Sequence, residues 1–195
     1  LTVGGGLATT FNANGNNISV AGNFTINSTG TLISGLNTLI FNGNAAQTFT
    51  VNGSIPAPGL NNLTVSKGAS STLTIAGTAL SIAAQGGLNL LTGTLNDGGK
   101  TLSFAGNVVN NATHTGIGKI TLNGTLPQTI GGNGLGNFQN LEIASTAGAV
   151  GSIGVTATNT LRVNGNLNIA SDRLLNIGIY RLRLQAGSAI TAIPG

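Results

Sequence analysis

The stretch Leu39-Ile40-Phe41-Asn42-Gly43, continued by Gln47-Thr48-Phe49 and Asn62-Leu63-Thr64-Val65, returns later in the chain with changes. The second copy reads Ile120-Thr121-Leu122-Asn123-Gly124, Gln128-Thr129-Ile130 and Asn140-Leu141-Glu142-Ile143. The first two pieces recur 81 positions on (39 to 120, 47 to 128) and the last 78 (63 to 141). Apolar residues at alternate positions over a short run signal a strand with one face buried. Asn-Gly supplies the backbone freedom of a tight corner. The stretch therefore reads as strand, corner, strand, and a later return of the chain to the same wall.

The same triplet punctuates the whole chain. One series runs Ile18-Ser19-Val20, Leu39-Ile40-Phe41, Leu63-Thr64-Val65, Leu80-Ser81-Ile82, Leu102-Ser103-Phe104, Ile120-Thr121-Leu122, Leu141-Glu142-Ile143, Leu161-Arg162-Val163 and Leu182-Arg183-Leu184. Its steps vary between 17 and 24 positions, and eight of them lead from Ile18 to Leu182, a mean of 20.5. Further triplets, such as Phe24-Thr25-Ile26 and Leu167-Asn168-Ile169, lie between them. Helix is disfavoured because β-branched residues, Gly and Asn crowd every window and no 3.6-residue stripe persists. The four prolines (Pro56, Pro58, Pro127, Pro194) all fall outside the triplets, where a missing N–H costs no ladder bond.

An antiparallel sandwich does not explain a period near 20; a solenoid does. Parallel crossovers are right-handed, so the expected fold is all-β, a right-handed parallel β-helix. It should have nine to ten coils of roughly 20 to 21 residues and a length of roughly 45 Å at about 4.8 Å per coil. The long repeat, from Leu39 to Ile120, then spans about four coils. Residues 1–195 read as one solenoid segment. Alternation is under way at Leu1-Thr2-Val3 and continues at Ile190-Thr191-Ala192-Ile193, as expected for a piece of a longer repeat array. The middle residues of the series form the expected outward column: Ser19, Ile40, Thr64, Ser81, Ser103, Thr121, Glu142, Arg162, Arg183. This puts Glu142 beside Arg162, and Arg162 beside Arg183.

Composition narrows the functional classes. Only 5% of residues are charged and 4% aromatic, while Gly supplies 32 residues and Asn and Thr 26 each. Ordinary domains are about 25% charged. No run approaches the roughly 18 consecutive apolar residues of a spanning helix, so membrane insertion is not expected. Scarce aromatics offer no stacking platform for nucleic acid. The net charge of +4 owes much to Arg162, Arg173, Arg181 and Arg183 near the end, which read as solvated coil faces rather than a binding patch. Without cysteine there are no disulfides and no thiol chemistry.

The run from Thr38 to Phe49, with Leu60 to Val65, resembles a motif of very long secreted proteins of Bacteroidota, and Gly136 to Ile143 and Leu161 to Ile169 match its later parts. Those proteins read as an apolar strand, Phe-Asn-Gly, Gln-Thr-Ile and Phe-Asn-Asn-Leu-x-Ile, followed by Val-x-Gly-x-Leu-x-Ile. The resemblance implies a repeat region of large adhesin-like proteins of the outer surface, often cargo of type IX secretion. Such chains carry a C-terminal sorting domain, for which these 195 residues show no counterpart.

The chemistry-bearing residues are few. Asp97, Glu142 and Asp172 are separated by 45 and 30 positions, whereas glycoside hydrolysis needs two carboxyls within about 5 to 9.5 Å. All three read as turn or surface positions. His114 is the only histidine and reads as an exposed loop residue rather than a metal ligand. Gly131 to Gly136 lacks the helix and Lys-Ser/Thr of a phosphate loop and reads as corner turns. Thr-x-Thr occurs at Thr29/Thr31, Thr48/Thr50, Thr72/Thr74, Thr92/Thr94, Thr113/Thr115 and Thr156/Thr158. Its offsets from the preceding triplet vary from 9 to 15, which argues against a regular ice-binding plane. No catalytic residue, cofactor or metal site is expected.

The expected role is a non-enzymatic stalk or adhesive segment of an exported bacterial surface protein. Expected partners are further coils or stacked copies at both ends, surface polysaccharide, or secretion and motility machinery. A carbohydrate-binding or carbohydrate-active β-helix is the first alternative, and an ice-binding solenoid the second.

Overall fold

The computed structural model describes residues 1–78, 81–147 and 154–193. Leu80 and Pro194, assigned above to a strand and to a position outside strands, lie outside the described residues. Among the described residues there is no helix, and every strand pairing is parallel. The chain winds as a three-sided β-solenoid, visiting wall 1, wall 2 and wall 3 in turn.

Wall 1 stacks Thr2–Val3, Phe24–Ile26, Gln47–Val51, Thr72–Ala76, Thr94–Asn96 and Thr113–Thr115. The bridges Thr113 to Asn137 and Phe138 to Val163 carry it on to Leu161–Val163 and Leu182–Leu184. Wall 2 begins with Thr9–Asn12 and Gly30–Ile33 and passes through bridges at Ser54 and Leu60. It continues as Ser81–Ala84, Thr101–Phe104, Lys119–Leu122, Leu141–Ile143, Leu167–Ala170 and Ile190–Ile193. Wall 3 has eight strands: Ile18–Val20, Thr38–Phe41, Asn62–Ser66, Leu88–Thr92, Val108–Asn110, Gln128–Gly131, Val155–Ala157 and Leu175–Asn176.

The parallel solenoid is as expected, but the coil is longer and the turns are fewer. One inward column of wall 1 runs Gln47, Leu73, Leu95, His114, Phe138, Val163, Leu184. From position 47 to position 184 it makes six turns, a mean advance of 22.8 positions per turn. The eight strands of wall 3 make about eight turns, roughly 38 Å of rod at 4.8 Å each. The expected period was short because the triplet series changes wall. Ile18, Leu39 and Leu63 belong to wall 3, Leu102, Ile120 and Leu141 to wall 2, and Leu161 and Leu182 to wall 1. Each slip back by one wall removes about a third of a turn from the count.

The interior is apolar where alternation demands it. Strands such as Gln47–Val51 and Thr72–Ala76 alternate strictly between buried and half-buried positions. Phe24, Phe41 and Phe49 are fully buried, with ring centroids 5.3 Å (Phe24–Phe49) and 5.4 Å (Phe41–Phe49) apart. Later turns fill the core mostly with stacked Leu, Ile and Val, with Phe104 and Phe138 among them. Burying each such side chain stabilises by about 1.5–3 kcal/mol. The core thins in the last turns, where Leu175, Ile177 and Leu182 are only partly buried and Ile190 is 55% exposed.

Candidate functional site

The repeated motif builds a bracket at a corner. In the first copy the chain leaves wall 3 at Phe41, turns at Asn42-Gly43 and enters wall 1 at Gln47. Gln47 is buried: its Oε1 accepts the Gly43 N–H at 3.0 Å, and its Nε2 donates to the carbonyls of Val20 (2.9 Å) and Gly22 (2.5 Å) one turn earlier. Gln128 repeats this with the Gly124 N–H at 2.7 Å and the carbonyls of Phe104 (2.9 Å) and Gly106 (2.6 Å). Yet Gln128 starts a strand of wall 3, at the corner leaving wall 2. The two copies therefore occupy different corners. Four turns from Leu39 along wall 3 lead through Leu63, Leu88 and Val108 to Ile130. The second copy of the triplet begins earlier, at Ile120 on wall 2. The repeat thus falls one wall short of four turns, which corrects the four-coil reading.

Glycine is needed in this bracket for closeness rather than for positive φ. Of the six Asn-Gly steps, only Gly15 and Gly134 have positive φ. A Cβ on Gly43 would lie 2.1 Å from the Ala21 carbonyl oxygen, and one on Gly124 2.3 Å from that of Ala105.

A buried lysine completes the first bracket. Lys67 is 3% exposed, and its Nζ donates to the carbonyls of Gly43 and Ala45 (both 2.9 Å) and to Gln47 Oε1 (2.5 Å). Burial lowers its pKa from the ordinary 10.5. In the second copy Ser145 holds the same place, and its hydroxyl donates to the Gly124 carbonyl at 3.0 Å.

The one histidine and one of the three acids meet in the interior, against the expectation of exposed loop and turn positions. Asp97 and His114 are both wholly buried, with Nε2 and Oδ2 3.0 Å apart. His114 lies in Thr113–Thr115 with its ring turned inward, edge-on to Phe138 at 6.5 Å. Its Nδ1 accepts the Gln139 N–H at 3.2 Å, so the ring proton sits on Nε2 and is donated to Asp97. Asp97 Oδ1 accepts the Gly99 and Gly118 N–H groups at 2.7 and 2.9 Å. An imidazole oriented by a carboxylate is the geometry of a base and its positioning partner. Here both ring nitrogens and both carboxylate oxygens are engaged within the protein, and the couple links three successive turns. Alternation could have placed His114 inward, since it aligns with Leu95; the lack of metal-ligand partners around a lone histidine argued for an exposed loop.

Outside, the single expected outward column resolves into separate columns on three walls. Glu142 stands between Thr121 and Asn168 and pairs with Lys119, not with Arg162. Arg162 does neighbour Arg183 in register, and its Nε donates to the Gly134 carbonyl at 2.7 Å. With Asn164, Leu184 and Gln185 these two arginines line an open groove. Arg173 and Arg181 lie outside it. Asp172 is an exposed turn residue with φ of 57°. Among the described residues no three His, Cys, Asp or Glu side chains converge as metal ligands.

Comparison with protein-family models, curated proteins and solved structures finds no match. What the surface offers must be read from the walls themselves. Wall 1 carries threonines in register: Thr48, Thr74, Asn96 and Thr115 form one outward column, Thr72, Thr94, Thr113 and Asn137 the next, and Thr2, Thr25 and Thr50 a third. The irregular offsets of Thr-x-Thr reflect its scatter over the walls: Thr48/Thr50, Thr72/Thr74 and Thr113/Thr115 lie on wall 1, whereas Thr31 lies on wall 2, Thr156 on wall 3, and Thr92 and Thr94 on either side of the corner from wall 3 to wall 1.

Proposed function

We propose that this chain is a rigid, non-enzymatic segment of a large exported surface protein of a bacterium, serving as a stalk or adhesive fibre. The observation that carries this reading is the parallel ladder of wall 3, which joins eight strands turn to turn from Ile18 to Asn176 along one apolar core. Parallel edge strands invite further strands. The end strands of each wall therefore pair with further coils of the same chain or with stacked copies. The resemblance to repeat regions of adhesin-like type IX cargo of Bacteroidota supports an outer-surface location. Surface polysaccharide or secretion and motility machinery would be its further partners.

Negative-stain imaging and light scattering over a range of protein concentrations test the stacking. Rods whose length grows in units of one segment are expected; a compact monomer at every concentration overturns stacking of copies. Protease shaving of intact cells that make the full-length protein tests location, and protection until lysis overturns it. A second reading, binding of an acidic polysaccharide, is favoured by the Arg162–Arg183 groove. A glycan array on which Arg162→Ala and Arg183→Ala each abolish a specific signal would establish it.

A further inference from the structure

Wall 1 carries a repeated net of hydroxyls, and we propose that it binds ice. The proposal names a ligand for the adhesive reading and rests on that reading only for the protein's location. Between Phe24–Ile26 and Thr113–Thr115 the outward positions hold eight threonines: Thr25, Thr48, Thr50, Thr72, Thr74, Thr94, Thr113 and Thr115. Ala76 and Asn96, both uncharged, interrupt them. The threonine hydroxyls that hydrogen-bond within the described residues belong to Thr9, Thr64, Thr92 and Thr158, none of them in this net. The hydrogen bonds of the wall 1 hydroxyls are thus left for solvent.

The spacing of the net suits a lattice of water. Residues two apart on a strand are about 6.7 Å apart, and successive turns about 4.8 Å. Tetrahedral water with O–H···O distances of about 2.75 Å has second neighbours about 4.5 Å apart and repeats about every 7.3 Å along the hexagonal axis. Each mismatch is under about 10%, within the play of a hydroxyl and its bound water. Threonine is stiff at χ1, so its hydroxyl and methyl are held in place before water arrives. A ligand for a repeated net must itself repeat, and the wall lacks the features of other periodic partners. The buried phenylalanines of wall 1 point inward, leaving no stacking platform for crystalline polysaccharide. The outward positions of these strands carry no charge; the Lys100 ammonium is held at the edge, on the Gly77 carbonyl at 2.7 Å, and Arg162 and Arg183 follow on later turns.

Ice-affinity partitioning and freezing hysteresis of the purified chain provide the test. Wild type should enter a slowly grown ice shell and show hysteresis. Thr74→Lys and Thr113→Lys, each with an unchanged circular dichroism spectrum, should lower both at least tenfold. Thr64→Lys, on the outward face of wall 3, should leave them unchanged. Exclusion of wild type from ice overturns the proposal. So does equal loss in Thr64→Lys, or capture by crystalline cellulose or chitin that depends on Thr74 and Thr113 while ice captures nothing. None of these outcomes bears on rod assembly, so the stalk reading is judged separately.

Discussion

Lys67 brings an ammonium into a corner where the other copy of the motif uses only the Ser145 hydroxyl. Three acceptors surround the charge, but burial still lowers its pKa, so the unfolded chain holds the proton more tightly than the folded one. Stability therefore rises with pH as the folded-state pKa is passed and stops rising at the ordinary value of 10.5. The slope contributed by this one proton is at most about 1.4 kcal/mol per pH unit. Urea titrations across that window should show wild type gaining on Lys67→Ser; a constant difference refutes the assignment. The Asp97–His114 couple makes a different prediction. Asp97→Asn would turn an amide N–H towards the Nε2–H of His114, leaving one donor unmatched or forcing a tautomer that turns a donor on the Gln139 N–H. A loss of about 2–4 kcal/mol in chemical denaturation is expected. Imidazole 15N shifts of wild type should report the Nε2–H tautomer.

At the scale of the element, the bracket depends on two features that can be separated by mutation. Gln128→Leu keeps the bulk but strands the Gly124 N–H and the Phe104 and Gly106 carbonyls, costing about 2–4 kcal/mol. Gly43→Ala forces a backbone shift against Ala21, whereas a Cβ on Gly22 meets nothing within 4 Å. Gly22→Ala should thus be neutral or stabilise by about 0.4–1 kcal/mol, while Gly43→Ala lowers the thermal midpoint clearly. Strands and brackets were largely legible in the sequence because alternation and Asn-Gly are local signals. The wall on which a strand lies was not, since all three walls use the same triplet and corners absorb variable lengths, such as the stretch from Ser54 to Leu60. The buried couple escaped for a related reason. Asp97 and His114 are far from neighbours in sequence, and only the register of Leu95 against His114 shows that they meet. The threonine columns were hidden by the same ambiguity of wall.

Over the whole molecule, stability is a sum of neighbouring-turn contacts rather than of one central knot. The best-filled turns carry Phe24, Phe41 and Phe49 and the stacked Leu and Ile behind them, while Leu184 and Ile190 in the last turn are exposed. Amide hydrogen exchange should accordingly be slowest in the central strands from Thr38–Phe41 to Leu141–Ile143 and fastest in Leu182–Leu184. Uniform protection along the rod would show that the turns unfold as one unit.

The displaced second bracket has a geometric consequence for any longer array of this repeat. Because the motif fits two of the three corners, a duplicated block need not span a whole number of turns, and the chain can lengthen by single sides. Each copy would then begin one side earlier than the last. A side chain displayed by the repeat would precess around the shaft, returning to its first azimuth after three copies, like the thread of a screw.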